Sequence, residues 1–126
     1  SVPGSSDVFF GGVIAYSNAL KQGLLGVQYD LLRKHGAVSS KVVEAMANGA
    51  QKKLNADWAI AISGLAGPTG GTETKPIGLV EIAIAGPKLL KSKPECFSPY
   101  HGRIGIQKLS IVRSLDRLRL VLLSRG

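Results

Sequence analysis

The apolar positions of this chain fall into two kinds of pattern, runs of strand length and stripes of helical period. Trp58-Ala-Ile-Ala-Ile-Ser63 is a continuous apolar run, the mark of a strand buried on both faces. Gly78-Leu-Val-Glu-Ile-Ala-Ile84 is a second such run, closed by Gly86-Pro87. Val8-Phe-Phe-Gly-Gly-Val-Ile-Ala-Tyr16 is rich in aromatic and β-branched residues and reads as a further strand, with Gly11-Gly12 marking a bulge or a close backbone approach. Helical signals lie between them. Asn18 suits the cap of a short helix running through Leu20 and Leu24 to Gly26, and Val27 to His35 carries Leu31 and Leu32 before a stop at Gly36. Ser39 or Ser40 caps a longer helix in which Val43, Met46, Ala50 and Leu54 share one face, with Lys52 and Lys53 suiting the dipole of its last turn.

Beyond the second run, Lys88-Leu-Leu-Lys-Ser-Lys-Pro94 reads as a basic connection at the outer end of a hairpin. Cys96-Phe-Ser-Pro-Tyr100 reads as an edge strand, because Pro99 has no N–H for a central ladder. Ile111, Leu115, Leu118 and Leu122 form a final helical stripe, predicted to lie on the sheet, with Arg113, Asp116 and Arg117 on another face. Strands alternating with helices predict a layered α/β fold with helices over the sheet.

Composition narrows the picture. A chain of 126 residues with 44% apolar content supports one core, so residues 1–126 are read as a single domain. The 16 basic and 8 acidic residues leave a formal charge of +8, which favours an anionic partner. Nucleic acid is not favoured, since no nucleic-acid motif and no aromatic-interleaved basic patch is present. Cys96 is the only cysteine, so an internal disulfide is excluded, a reducing compartment is expected, and its reading is a small buried hydrophobe. No apolar run reaches the roughly 18 residues of a membrane span, which predicts a cytoplasmic protein with no membrane partner. No His, Cys and carboxylate cluster has ligand spacing, so neither a metal nor a cofactor is expected. His35 and His101 read as loop histidines.

One segment stands apart. Ser63 to Gly78 holds five glycines and two prolines in sixteen residues, where typical usage of roughly 7% predicts about one glycine. Such a segment turns through positive φ or approaches something closely, and it follows a buried strand, where an α/β protein places its ligand. It is not a Walker loop, since no Gly-Lys pair exists, and Gly64 and Gly67 do not make the dinucleotide fingerprint. Its backbone N–H groups, the hydroxyls of Ser63, Thr69 and Thr72, and Lys75 nevertheless suit a phosphate or carboxylate.

Four motifs in order carry a family resemblance: Phe10-Gly-Gly-Val-Ile-Ala-Tyr-Ser-Asn-Ala-Leu-Lys21, Leu25-Gly-Val27, His35-Gly-Ala-Val-Ser39, and the Ser63 to Gly78 segment. Together they resemble the C-terminal domain of the CinA family, known as a nicotinamide-nucleotide amidase. The resemblance implies a three-layer α/β/α sandwich that hydrolyses the carboxamide of nicotinamide mononucleotide, a small-molecule substrate, to nicotinate mononucleotide and ammonia. The family's Y-S-N-x-x-K motif falls on Tyr16, Ser17, Asn18 and Lys21, which makes Lys21 and Tyr16 catalytic and Asn18 substrate-binding. Its lysine assists a serine nucleophile, which requires a neutral amine. The S-G-x-A-G-P-x-G-G segment places Ser63, Gly64, Gly67, Gly70 and Gly71 at the substrate, with Lys75 from K-P-x-G. A late element of the family with a glycine and an arginine falls on Gly102 and Arg103, ahead of the last helix, which implies Arg103 as a phosphate ligand.

The family also carries an A-E-S-C-T-G-G stretch, holding the serine nucleophile, upstream of the position matching Val2-Pro3-Gly4-Ser5-Ser6. The chain begins after it, so residues 1–126 are expected to be an N-terminally truncated domain. Ser5 and Ser6 read as turn residues rather than substitutes. Two functions follow: an amidohydrolase of the family type, or a catalytically inactive nucleotide-binding or interaction domain. A sheet missing its first element leaves an exposed edge, which predicts a homo-oligomer.

Overall fold

The two apolar runs form the centre of a four-stranded sheet in the computed structural model, which describes residues 10–14, 26–36, 38–64 and 76–125. The strands are β1 (Phe10–Ile14), β2 (Trp58–Gly64), β3 (Leu79–Gly86) and β4 (Leu89–Cys96), in spatial order β1-β2-β3-β4. β1 pairs with β2 in parallel, and β2, β3 and β4 pair antiparallel in succession. The helices are α1 (Tyr29–His35), α2 (Ser40–Lys53) and α3 (Gly102–Arg125), and a 3₁₀ turn at Pro99–His101 precedes α3. The fold is the α/β class read from the sequence.

Side-chain size alternates along β2 and β3, and that alternation decides which helix covers which face. Ala59, Ala61, Ala83 and Ala85 point to one side, against Val42, Val43, Met46, Ala47 and Ala50 of α2. Trp58, Ile60, Ile62, Val80, Ile82 and Ile84 point to the other, against Ile106 and Leu118 of α3. Large helix residues meet the small sheet face, and the large sheet face meets a sparser helix surface, so size is complementary across both layers. The result is helix over sheet over helix.

Several expected local signals are present. Gly36 has φ 81° and its N–H closes α1 on the Leu32 carbonyl at 2.8 Å. Ser39 caps α2, its hydroxyl accepting from the Val42 N–H at 3.3 Å and donating to the Gly36 carbonyl at 3.0 Å.

Other expectations are corrected. β1 pairs without interruption from Phe10 with Trp58 to Ile14 with Ile62, so Gly11-Gly12 is not a bulge within this ladder. Leu54 lies at the C-cap of α2 and is exposed, not on its buried face. The basic segment is the edge strand itself, Leu89–Cys96, and Cys96–Tyr100 is not: residues 99–101 form the 3₁₀ turn. Pro94 is tolerated because β4, among the described residues, has a neighbouring strand on one side only. Cys96 is exposed rather than buried, and His35 is the last residue of α1 rather than a loop residue. The proposed helix from Asn18 to Gly26 lies almost wholly outside the described residues.

The last helix is turned about its axis from the expected setting. Leu118 is buried, but Ile111 and Leu115 are exposed, and the sheet is met by Ile106, Ser110, Ser114 and Leu118. Ser110 and Ser114 donate their hydroxyls to the Ile106 and Ile111 carbonyls at 2.6 and 2.8 Å, so they are satisfied inside the helix and small enough to lie over Trp58 and the isoleucines. α3 is tied to the edge strand by Arg117, which bonds Glu95 and the Lys93 carbonyl (2.8 Å), and by Arg113, 3.2 Å from Glu95.

Burial acts to raise the Glu95 carboxyl, but the Arg117 hydrogen bond and charge, with Arg113 and Lys93, hold it below the usual carboxylate range. A carboxylate lowered on folding stabilises the protein above its unfolded-state pKa, and that contribution is lost as pH falls through the folded value. Urea unfolding from pH 7 down to pH 3 is therefore expected to show a smaller loss of stability in Glu95→Gln than in the unmutated protein; equal losses would remove Glu95 from the acid response.

Candidate functional site

The strand pairings bring several chain ends together. Ile14 ends β1 beside Ile62, two residues short of the end of β2 at Gly64. β3 starts opposite that end, with Gly64 facing Val80, and β4 finishes there, with Cys96 facing Leu79. The 3₁₀ turn and the first turn of α3 follow directly. α2 runs back along β2, because only residues 54–57 join them, and Ser92, opposite Ala83, donates to Glu44 at 2.5 Å. The start of α2 thus lies at the same end. This is the carboxyl end of the two parallel strands, where open α/β sheets bind ligands.

Ser63 is the polar residue that β2 carries into this end. It points to the α2 side, as Ala59 and Ala61 do, and is 2% exposed. Directly opposite on β3, and on the same face, stands Glu81, 9% exposed. A hydroxyl and a carboxylate are therefore paired across the ladder at the point where the glycine-rich segment departs.

The two ends of that segment are held by glycine geometry. A Cβ on Gly64 would stand 2.9 Å from Val80 Cγ2 and 3.0 Å from the Leu79 carbonyl oxygen, so its lack of a side chain lets β3 close against β2. At the return, Leu79 N–H donates to the Pro76 carbonyl at 3.1 Å, making a turn whose third residue, Gly78, has φ 97°. The Phe97 N–H bonds the Gly78 carbonyl at 2.9 Å. Gly78 has both a left-handed backbone and a neighbour that leaves no room for a Cβ.

Of the residues predicted for the site, Ser63, Gly64 and Arg103 are thus brought to one end of the sheet. Arg103 is exposed and lies in the first turn of α3, inside the helix rather than ahead of it. No acidic residue accompanies it there, so the first-turn N–H groups and the guanidinium present the same sign of potential. Tyr16, Asn18, Lys21, Gly67, Gly70, Gly71 and Lys75 lie outside the described residues, as do Ser5 and Ser6. The residue that sequence reading missed is Glu81, whose signal is a lone carboxylate inside the run Val80-Glu-Ile-Ala-Ile84. Buried carboxylates are costly without partners, so such a position marks a polar site.

A separate groove of about 570 Å³ lies on the other face, between β4 and α3, floored by Ile82, Ile84, Leu120 and Val121 and flanked by Lys91 and Arg117. Among the described residues no group of three or more His, Cys, Asp and Glu side chains is placed to hold a metal ion, and no helix is long and apolar enough to cross a membrane.

The architecture and the placing of Ser63, Gly64 and Arg103 define a layered α/β domain whose polar site sits at the carboxyl end of its parallel strands. The chain belongs to the CinA family: the model of the CinA C-terminal domain matches residues 1–122. A CinA-like protein of Prochlorococcus marinus (strain MIT 9313) is 61% identical over 123 residues, covering 98% of this chain and 29% of the relative. A CinA-like protein of Parasynechococcus marenigrum (strain WH8102) is 56% identical over 126 residues, covering 100% of this chain and 30% of the relative. The chain therefore spans less than a third of these curated relatives. Among solved structures, the competence/damage inducible protein CihA of Agrobacterium tumefaciens superimposes with TM-score 0.85 at 25% identity, over 90% of this chain and 84% of that one. A competence or damage-inducible protein of Enterobacter asburiae, at 23% identity over 94% of this chain and 91% of that one, shares the fold with TM-score 0.85.

Proposed function

We propose that this chain is the substrate-binding part of a nicotinamide-nucleotide amidohydrolase, which converts nicotinamide mononucleotide to nicotinate mononucleotide and ammonia. The observation that carries the reading is Ser63, buried at the carboxyl end of β2 where the glycine-rich segment begins, in a chain of the CinA family. In this reading Ser63, Gly64 and the segment holding Gly67, Gly70, Gly71 and Lys75 enclose the nucleotide, and Arg103 grips its phosphate bidentately. Asn18 orients the substrate, and Lys21, with Tyr16, takes the proton of a serine hydroxyl supplied upstream of Ser1. That hydroxyl attacks the carboxamide carbon, ammonia leaves, and water hydrolyses the acyl-enzyme.

Ammonia release from nicotinamide mononucleotide tests the reading, measured on this chain and on the protein extended at its N-terminus. Release by the extended protein is the expected result, and an inert extended protein overturns it. The second reading, a nucleotide-binding domain without catalysis, is favoured by the character of the described groups: Arg103 and Ser63 suit binding, and Arg103 cannot act as a base. It requires nucleotide binding without ammonia release in the extended protein. Cytoplasmic location and self-association through the sheet edge remain part of the proposal, the latter read out by sedimentation of the extended protein.

A further inference from the structure

We infer that the groove between β4 and α3 is a second binding site, for a small amphiphile whose anionic head meets Lys91 and Lys93 and whose apolar chain lies on Ile82, Ile84, Leu120 and Val121. Its volume of about 570 Å³ falls within the range of small-molecule sites, roughly 300–1,000 Å³. It stands on the α3 face of the sheet, whereas Ser63 projects to the α2 face. The register of the edge strand builds it. Lys91 is opposite Ile84 and Lys93 is opposite Ile82, so both lysines project to the side on which those isoleucines meet α3. The basic segment Lys88 to Pro94 thereby sets two cations beside an apolar floor.

Charge decides the chemistry of the occupant. Among the described residues no carboxylate lines the groove. The carboxylate of β4, Glu95, is held by Arg113 and Arg117, and Arg117 also donates to the Lys93 carbonyl at 2.8 Å. Lys91 and Lys93 form no ion pair among the described residues, although the Lys93 charge acts on Glu95. The rim therefore carries positive charge in excess, and a lysine stem can lie along apolar surface while its ammonium meets an anion. A purely polar anion leaves the floor uncovered, since Ile82 and Ile84 offer it no hydrogen bond. Leu90 and Leu120 keep 39% and 53% of their exposure, so an alkyl chain laid between them removes apolar surface from water. A peptide is less suited, because a strand added along β4 meets Pro94, which has no N–H to donate.

Calorimetric titration of the N-terminally extended protein with decanoate, kept below its micelle concentration, tests the site without any turnover. Decanoate is expected to bind at a single site, and acetate, which lacks the chain, to give no binding. The double variant Lys91→Gln with Lys93→Gln should bind decanoate about fivefold more weakly and 1-decanol unchanged, because exposed charge pairs contribute modestly. Leu120→Glu changes an exposed position and should abolish decanoate binding by setting a like charge in the groove. Decyl phosphate distinguishes the head group: tighter binding than decanoate assigns a phosphate, and weaker binding a carboxylate. Absence of binding by both amphiphiles, uptake of several equivalents, or binding that neither variant alters overturns the inference. So does binding of an acidic, leucine-rich peptide, blocked by Leu120→Glu, where decanoate does not bind, which would make the groove a peptide site.

Discussion

Replacing Lys21 with alanine in the N-terminally extended protein is expected to slow ammonia release from nicotinamide mononucleotide by roughly 10²–10⁴-fold, the usual contribution of a positioned general base. The expectation turns on protonation. An amine removes a serine proton only when neutral, so the base assignment requires that the ammonium form give up its proton before the attack. The rate should then rise with pH as the ammonium form is lost, and the variant should lose that rising limb. Lys21→Arg separates this role from simple attraction of the phosphate. Arginine keeps the positive charge but is not deprotonated in proteins, so a base cannot be replaced by it. Full recovery in Lys21→Arg would refute the base assignment, and unchanged urea unfolding in both variants would show that the fold is intact.

The second large effect is structural. Gly78→Ala is expected to destabilise the protein by about 3 kcal/mol, combining a left-handed backbone forced on alanine with overpacking of a closed site. The geometry leaves little room for relief. A Cβ on Gly78 would stand 2.0 Å from the Phe97 carbonyl oxygen, and that atom belongs to the backbone. The obstacle cannot rotate away as a side chain would. To admit the methyl group, the turn from Pro76 to Leu79 must separate from Phe97, which breaks the Phe97 N–H bond to the Gly78 carbonyl. Because this turn returns the glycine-rich segment to the sheet, KM for the nucleotide should rise as stability falls. Urea unfolding measures the first effect, and a loss under about 1 kcal/mol at unchanged m-value would show that the chain accommodates a side chain there.

Gly78 illustrates how much of the site can be read from residue types. A glycine that ends a turn and meets another backbone is legible in K-P-x-G once the preceding and following runs are seen to be strands. The end of β2 at Ser63 and Gly64 was legible for the same reason: a buried run stops, and glycines begin. Arg103 was singled out only through the family pattern, since nothing local distinguishes it from other exposed arginines. Glu81 went unread because a single carboxylate in an apolar run does not reveal which partner faces it. That partner, Ser63, lies 18 residues earlier and is chosen by the register of two strands.

The edge strand and the last helix show the opposite case. Leu89-Leu-Lys-Ser-Lys-Pro-Glu-Cys96 alternates weakly, carries three charges and contains a proline, all of which favour a loop locally. It is a strand because β3 offers it a complete row of hydrogen-bonding partners and its other side needs none. On α3 the predicted stripe is half right: Leu118 and Leu122 pack on the sheet side, while Ile111 and Leu115 face away from it. The sheet surface there carries Trp58, Ile60, Ile62, Ile82 and Ile84, and the small side chains of Ser110 and Ser114 are buried on the same helix as Ile106 and Leu118.

Sequence alone determined the strands buried on both faces, the helix capped at Ser39 or Ser40, the layered α/β class and the glycine-rich segment, because each depends on the period, size or backbone freedom of neighbouring residues. Tertiary structure decided the facing of α3, the strand at Leu89–Cys96 and the juxtaposition of Glu81 with Ser63. Those depend on what lies opposite across a sheet or a layer, and volume and hydrogen-bond complementarity between distant segments are not written in either segment by itself.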